Sequence, residues 1–332
     1  MTTSLPLPQP LQGLRLPVIA APMLTVSYPR LVSALCRAGV VGSFPALNAR
    51  PAPVLGEWLT ALKQDLAAAA AVPGARKPAA FAVNLIVNQS NPRLEQDMRT
   101  CIEHRVPIYI TSLQAPPKEL IDAAHACGGI VLHDVVNLRH AEKALKAGVD
   151  GLIVVAAGAG GHAGTLSPFA LVNEVRRIFS GPVALSGAMA TGADVLSAQA
   201  MGADLAYIGT RFIATQESEA VQAYKDTLMQ ASAGDICYTD YFTGVHGNYL
   251  RQSIEAAGLV PAQLKKSDDG RGYFGPASAQ ERPKNWKDIW GAGQGVGSMH
   301  DIPSIAELMD RMEAEYRAAT QRLPALWSAY CG

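Results

Sequence analysis

Short, continuous apolar runs recur along the chain, and stretches with one apolar face at helical spacing separate them. Eight runs read as strands, at 18–23, 40–44, 81–87, 107–112, 130–133, 151–155, 182–187 and 205–210. They are rich in β-branched residues and nearly all apolar instead of alternating, the pattern of parallel strands covered on both faces. Helices fit between them. Leu31, Leu35 and Ala38 recur at helical spacing behind Ser27, which can cap the helix, and Gly39 ends it. Leu55, Trp58, Leu59, Leu62 and Leu66 form one face of an alanine-rich helix over 51–71. Further helices read over 92–104, over 118–127, from the Asn137 cap to Ala147, and from Ser167-Pro168 through Val175.

Glycine stands between a helix end and the next strand in Ala38-Gly39-Val40, Ala147-Gly148-Val149 and Met201-Gly202-Ala203. That is the joint expected where a helix ends in a left-handed cap and the chain turns directly into a buried strand. Eight such strands alternating with helices close a TIM (β/α)8 barrel. An open doubly wound sheet is the alternative, but the first strand-to-helix turn lacks its G-x-G-x-x-G fingerprint. Beyond about residue 216 the pattern loosens. A helix reads over 217–231, little periodicity over 234–297, and a helix again over 302–316 with Ile305, Leu308 and Met309 on one face. Residues 1–216 and part of the C-terminus are therefore expected to form the barrel. Residues 217–332 are expected to supply C-terminal helices and a lid segment over its mouth, because loops this long commonly serve as lids or binding loops.

Composition narrows the ligand. Of 332 residues 49% are hydrophobic, enough for a large core, and 28 Lys and Arg balance 28 Asp and Glu to a formal charge of zero. Nothing in that balance suggests nucleic acid or an anionic membrane, so the expected partner is a small molecule. Cys36, Cys101, Cys127, Cys237 and Cys331 are scattered without C-x-x-C or zinc spacing, and they read as reduced thiols in a cytoplasmic protein with no metal site. The first residues have neither the basic nor the apolar region of an export signal, and no run approaches membrane-spanning length.

The chemistry concentrates in Ala156-Ala157-Gly158-Ala159-Gly160-Gly161-His162-Ala163-Gly164-Thr165, which follows the sixth strand and precedes the Ser167-Pro168 helix start. Its glycines leave backbone N–H groups unshielded, so a flat or anionic ligand can approach closely. His162 is the side chain there that exchanges protons near neutral pH. In a barrel the active site forms at the carboxyl ends of the strands, with phosphate often held after the seventh and eighth. Small turns stand at both places: Ser186-Gly187-Ala188 and Gly209-Thr210-Arg211. Their amides and hydroxyls can bind a phosphate without a lysine or a metal. His104, His125, His140, His246 and His300 have no evident partners and read as solvated or satisfied, while Tyr238, Tyr241, Phe242 and Tyr249 either wall a pocket or simply pack.

Taken in order, Ala21-Pro22-Met23, Asn84, Ala159-Gly160-Gly161-His162-Ala163-Gly164, Ser186-Gly187-Ala188 and Ile208-Gly209-Thr210-Arg211-Phe212 resemble the motifs of the nitronate monooxygenase family. Trp290-Gly291-Ala292-Gly293-Gln294-Gly295 resembles that family's C-terminal glycine-rich segment, so the likeness spans nearly the whole chain. The resemblance implies an FMN-dependent TIM barrel. Ala21, Pro22 and Met23 would lie beside the flavin ring, Asn84 would bond its polar edge, and His133 would sit nearby. Gly160, Gly161 and Gln294 would join the cofactor site, Ser186, Gly187, Ala188, Gly209 and Thr210 would hold the phosphate, and His162 would stand beside the substrate. The chain departs from the family's Ser-Gly-Gly turn at Ala188, a change that costs little where that residue keeps a negative φ. It also lacks the acidic residues that often precede the histidine loop, since 154–159 carries no charge.

The implied activity is oxidation by O2 of alkyl nitronates, from small nitroalkanes or 3-nitropropionate. His162 would orient the nitro group or remove the α-proton of a neutral nitroalkane. Alternatives are an FMN-dependent enoyl-acyl-carrier-protein reductase or NAD(P)H:acceptor oxidoreductase, and a barrel that binds FMN without turnover. A homodimer is compatible with the sequence, which does not fix the oligomeric state.

Overall fold

The computed structural model describes residues 7–264 and 288–331. Its strands are β1 (Val18–Ala20), β2 (Gly42–Pro45), β3 (Phe81–Val87), β4 (Ile108–Leu113), β5 (Ile130–Val135), β6 (Gly151–Val155), β7 (Gly161–His162), β8 (Val183–Ser186), β9 (Leu205–Ile208), β10 (Ile236–Thr239) and β11 (Gly247–Leu250). Eight of them form one parallel sheet in the order β1-β9-β8-β6-β5-β4-β3-β2, and a bridge between Ile19 and Val41 brings its two ends together. This is the (β/α)8 barrel that the eight apolar runs predict.

Period-two geometry gives each barrel strand two faces. Ile19, Ala82, Ile110, Leu132, Ile153 and Ala184 fill the interior, while Val83, Tyr109, Val131, Leu152, Leu185 and Ala206 face the surrounding helices. Both faces are buried, which is why the strands read as continuous apolar runs. The helices are α1 (Pro29–Arg37), α2 (Val54–Ala70), α3 (Leu94–Glu103), α4 (Lys118–Ala126), α5 (Leu138–Ala147), α6 (Pro168–Ile178), α7 (Gly192–Ala200) and the single-turn α8 (Thr210–Ile213). Asn137 caps α5, its side chain accepting from His140 N at 2.9 Å. Ser27 does not cap α1. Its hydroxyl instead accepts from Met23 N at 3.1 Å, tying down the turn after β1, and Tyr28 takes the cap position.

Beyond the barrel follow α9 (Gln222–Gln230), α10 (Arg251–Ala256) and α11 (Ile305–Cys331). The segment expected to lack periodicity contains β10 and β11, which pair antiparallel, and β11 pairs in turn with β7 in the histidine loop. That hairpin reaches the barrel mouth. The rest of the expected lid, 265–287, lies outside the described residues. The last helix is far longer than the apolar spacing predicts, because its final turns are exposed and carry no core pattern. Among the described residues no helix is long and apolar enough to cross a membrane.

Instead of covering the mouth, α11 lies against α7 on the barrel's outside. Gly192 N donates to Glu315 Oε2 at 2.7 Å, Tyr316 donates to Gln199 at 2.6 Å, and Arg15 pairs with Asp310 and Glu313, each at 2.6 Å. The crossing depends on Gly192: a Cβ there would penetrate Met312 O and come within 2.6 Å of Tyr316 N. Gly192→Ala must push the two helices apart, and overpacking of this kind costs about 3 kcal/mol. A shift of the urea midpoint equivalent to less than about 1 kcal/mol would show that α11 is not held at this crossing.

Candidate active site

At the carboxyl ends of the strands the barrel opens into a cavity of about 770 Å³. Its floor is set by inward-facing residues near the carboxyl ends of several strands: Asn84, Ser112, Asp134, Val155, Ser186 and Tyr207. Three of these form a chain. Asn84 Nδ2 donates to Ser112 Oγ at 2.8 Å and to Ile110 O at 3.2 Å, and Ser112 Oγ donates to Asp134 Oδ2 at 2.6 Å. Asp134 Oδ1 is buried without a hydrogen-bond partner among the described residues. Burial pushes this carboxyl up to about 7, with the Ser112 hydrogen bond pulling the other way. Burial first, and the nearby Asp134 charge second, also raise the Tyr207 phenol well above its ordinary value.

Over the floor stands the histidine loop. The sequence places His162 in a strand-to-helix loop, but the structure pairs it in β7, with Gly161 opposite Asn248 and His162 opposite Gly247. The two backbones approach so closely that a Cβ on Gly247 would lie 2.8 Å from Gly161 O. Asn248 pins the loop by donating to Ala159 O at 2.7 Å. His162 Nε2 lies 2.9 Å from Thr243 Oγ1, and that hydroxyl donates to Val245 O at 3.0 Å. When the Thr243 proton goes to Val245 O, Thr243 accepts from Nε2–H and the imidazole lone pair stands on Nδ1. Burial lowers the imidazole to about 4, so it is neutral near pH 7.

The two turns after β8 and β9 meet the C-terminal glycine segment. Gly293 N donates to Thr210 Oγ1 at 2.9 Å, and Gln294 N donates to Gly158 O at 2.8 Å. A Cβ on Gly160 would lie 2.8 Å from Gly293 N and 3.1 Å from Thr210 Oγ1, so backbone alone fits between these segments. The result is a tight cradle in which the Gly293 and Gln294 N–H groups are spent within the protein, and the hydroxyls of Ser186 and Thr210, both lining the cavity, are what it offers a phosphate. Ala188 adopts positive φ, +53°, so the departure from the family turn carries the strain of a left-handed alanine, about 1 kcal/mol. The turn keeps it because Ala188 N donates to Gly158 O at 3.2 Å. Arg211 points away, pairing with Asp301 at 2.9 Å. In the closed strand order β8 and β9 stand across the barrel from β3 and β4, so the cradle and the Asn84–Ser112 pair face each other over the mouth.

Ten expected site residues line this cavity: Ala21, Pro22, Met23, Asn84, Gly160, Gly161, His162, Ser186, Gly209 and Thr210. Gly187, Ala188 and Gln294 lie behind the lining, in the second layer of the cradle. His133 requires a correction. It shares the outward parity of Val131 and Val135, faces the helix layer with a ring nitrogen 2.8 Å from Thr111 Oγ1, and does not line the cavity. Burial lowers it to about 4, and its neighbour Asp134 is the residue that reaches the site.

Two histidines read as solvated, His140 and His246, line the cavity, and His246 stacks on Tyr238 with centroids 5.0 Å apart. His125 is not unpartnered either, lying 2.8 Å from Asp150. Tyr238 walls the cavity, whereas Phe242 and Tyr249 pack in a separate cluster. Thr243, Asp134, Ser112 and Tyr207 went unsuspected. For Asp134 there was a signal, an acid within an apolar strand, but no clue to which face it takes.

The family model for nitronate monooxygenase matches residues 59–315. A nitronate monooxygenase of Paraburkholderia phytofirmans is 26% identical, the match covering 95% of this chain and 96% of that one. Among solved structures, FabK from Thermotoga maritima superposes with a TM-score of 0.74 at 23% identity, over 95% of this chain and 97% of that one. Nitroalkane oxidase from Streptomyces ansochromogenes gives 0.73 at 21%, over 93% and 98%.

Proposed function

The chain belongs to the nitronate monooxygenase family of flavin-dependent oxidoreductases, and from that premise we propose that it oxidises alkyl nitronates with O2 using bound FMN. The observation that carries this reading is His162, a neutral imidazole held by Thr243 on a loop whose Gly158 and Gly160 pack against the turns that would hold a phosphate. Ser186, Gly209 and Thr210 would hold the FMN phosphate. Ala21, Pro22 and Met23 would lie against the ring, and Asn84 would meet its polar edge. Bound there, FMN supplies the acceptor through which electrons pass from the substrate to O2. The protein's own work is to bind and orient the substrate, with loop N–H groups facing the nitro oxygens, and to take a proton at His162 Nδ1 when the substrate arrives as the neutral nitroalkane.

Among the described residues no Lys or Arg lines the cavity, while Leu24, Val136, Leu166 and Val245 do. A substrate carboxylate would be desolvated there without a cation, so the reading favours nitronates with uncharged tails over the one derived from 3-nitropropionate.

Anaerobic mixing tests the proposal. Nitronates should bleach the flavin band of the yellow protein, simple alkyl nitronates at about tenfold lower concentration than the carboxylate-bearing one. Bleaching by NAD(P)H alone, followed by turnover of an enoyl thioester, would overturn it in favour of an enoyl reductase. A flavin that no donor reduces would leave a binding protein.

A further inference from the structure

Among the described residues, Asp134 is the one acidic side chain lining the cavity, and neither the family likeness nor the sequence motifs give it a role. Its surroundings are specific. Oδ2 is committed to Ser112 Oγ–H, while Oδ1 is buried with no partner. The titratable groups that share the lining with it are Tyr207 from β9, across the interior, His162 from β7, His140 from α5, Tyr224 from α9, Tyr238 from β10 and His246 from the segment before β11; among the described residues no Lys or Arg joins them. A buried carboxylate without a cation is costly, so the group takes a proton. Because Oδ2 accepts from Ser112, the proton belongs on Oδ1, a buried atom, and Asp134 becomes a donor to the cavity when its carboxyl turns toward an incoming carbonyl.

Beside it, both Nδ2 hydrogens of Asn84 are used by Ile110 O and Ser112 Oγ, leaving Oδ1 as its acceptor. The floor opposite the phosphate cradle therefore carries an acceptor and a donor on either side of Ser112. The pyrimidine edge of a flavin presents the complement, an N–H flanked by two carbonyls. We propose that Asp134 is a cofactor-positioning residue, donating from Oδ1 to a carbonyl of the flavin's pyrimidine edge while Asn84 Oδ1 accepts from the adjacent N–H. The assignment rests on the FMN reading above. It adds that the ring is held by an uncharged acid.

The sign of the pH effect follows. Ring binding requires the protonated acid, so affinity is full below the carboxyl's raised value near 7 and falls as pH rises through it. Riboflavin is the probe, since it has no phosphate to titrate. Flavin-stripped protein should bind it about tenfold more weakly at pH 8.5 than at pH 6, read by quenching of riboflavin fluorescence. Asp134→Asn keeps a neutral donor and should bind as wild type does at pH 6, with a flat profile. Asp134→Ala removes the donor and leaves Ser112 Oγ–H without its acceptor, and should lose about tenfold at pH 6, with folding checked by circular dichroism. A wild-type profile without pH dependence, a dependence that persists in Asp134→Asn, or full affinity in Asp134→Ala would each overturn the proposal. FMN measured alongside separates the two readings. If wild type binds FMN while Asp134 proves indifferent, this inference alone fails; if wild type binds neither flavin, the cofactor reading fails first and takes this one with it.

Discussion

His162→Asn is expected to lower kcat/KM for neutral nitroalkanes by about 10²–10⁴-fold while sparing most of the activity on pre-formed nitronates. The two substrates differ by the one proton that a base must remove. Thr243 holds His162 Nε2 at 2.9 Å, and in the tautomer where Thr243 accepts from Nε2–H the lone pair for that task stands on Nδ1. Its pH signature is distinctive. Burial lowers the imidazole to about 4, so the base form dominates at every pH well above 4. The nitroalkane rate should therefore be flat from pH 8 to about 5.5 and bend only toward pH 4, instead of falling below the ordinary imidazole value of about 6.5. Equal losses on both substrates would make His162 an orienting group. Unchanged rates with FMN retained would remove it from the mechanism.

What the sequence discloses, and what it hides, follows from which signals are local. The eight strands are legible because a strand buried on both faces must be apolar throughout, and the joints at Gly39, Gly148 and Gly202 are legible because each helix ends in a left-handed residue, with φ of +91°, +100° and +108°. The same uniformity erases the facing of each strand. With apolar residues on both sides, nothing marks whether His133 or Asp134 looks inward, and the structure puts Asp134, not the expected His133, in the cavity lining. Pairing between distant segments is equally silent: β7 is two residues long, and its partner β11 lies in a stretch whose glycines and aromatics have no repeat. Thr243 acquires its role only through that pairing. Local chemistry names the histidine, and tertiary contact supplies the group that fixes its tautomer.

Thr210→Asp should weaken FMN binding by roughly a hundredfold or more, and the cause can be isolated. Thr210 Oγ1 is buried in the cradle, accepting from Gly293 N at 2.9 Å, with Gly160 packed against it. A carboxylate there would face the phosphate at close range, and the neighbouring cation cannot relieve it because Arg211 is turned away toward Asp301. Two charges about 5 Å apart at an effective dielectric near 20 repel by about 3 kcal/mol, equivalent to about a hundredfold in affinity, and a phosphate carries more than one charge. Thr210→Ser, which keeps the hydroxyl, should bind FMN nearly as wild type does. Riboflavin decides between repulsion and damage. If the loss is electrostatic, Thr210→Asp binds riboflavin as well as wild type does, because that ligand brings no phosphate to the cradle. If the bulkier side chain has instead forced apart Gly160, Gly293 and the histidine loop, both flavins are lost together and the phosphate assignment loses its support. FMN binding untouched by Thr210→Asp would place the phosphate elsewhere and leave the cradle as tight backbone packing.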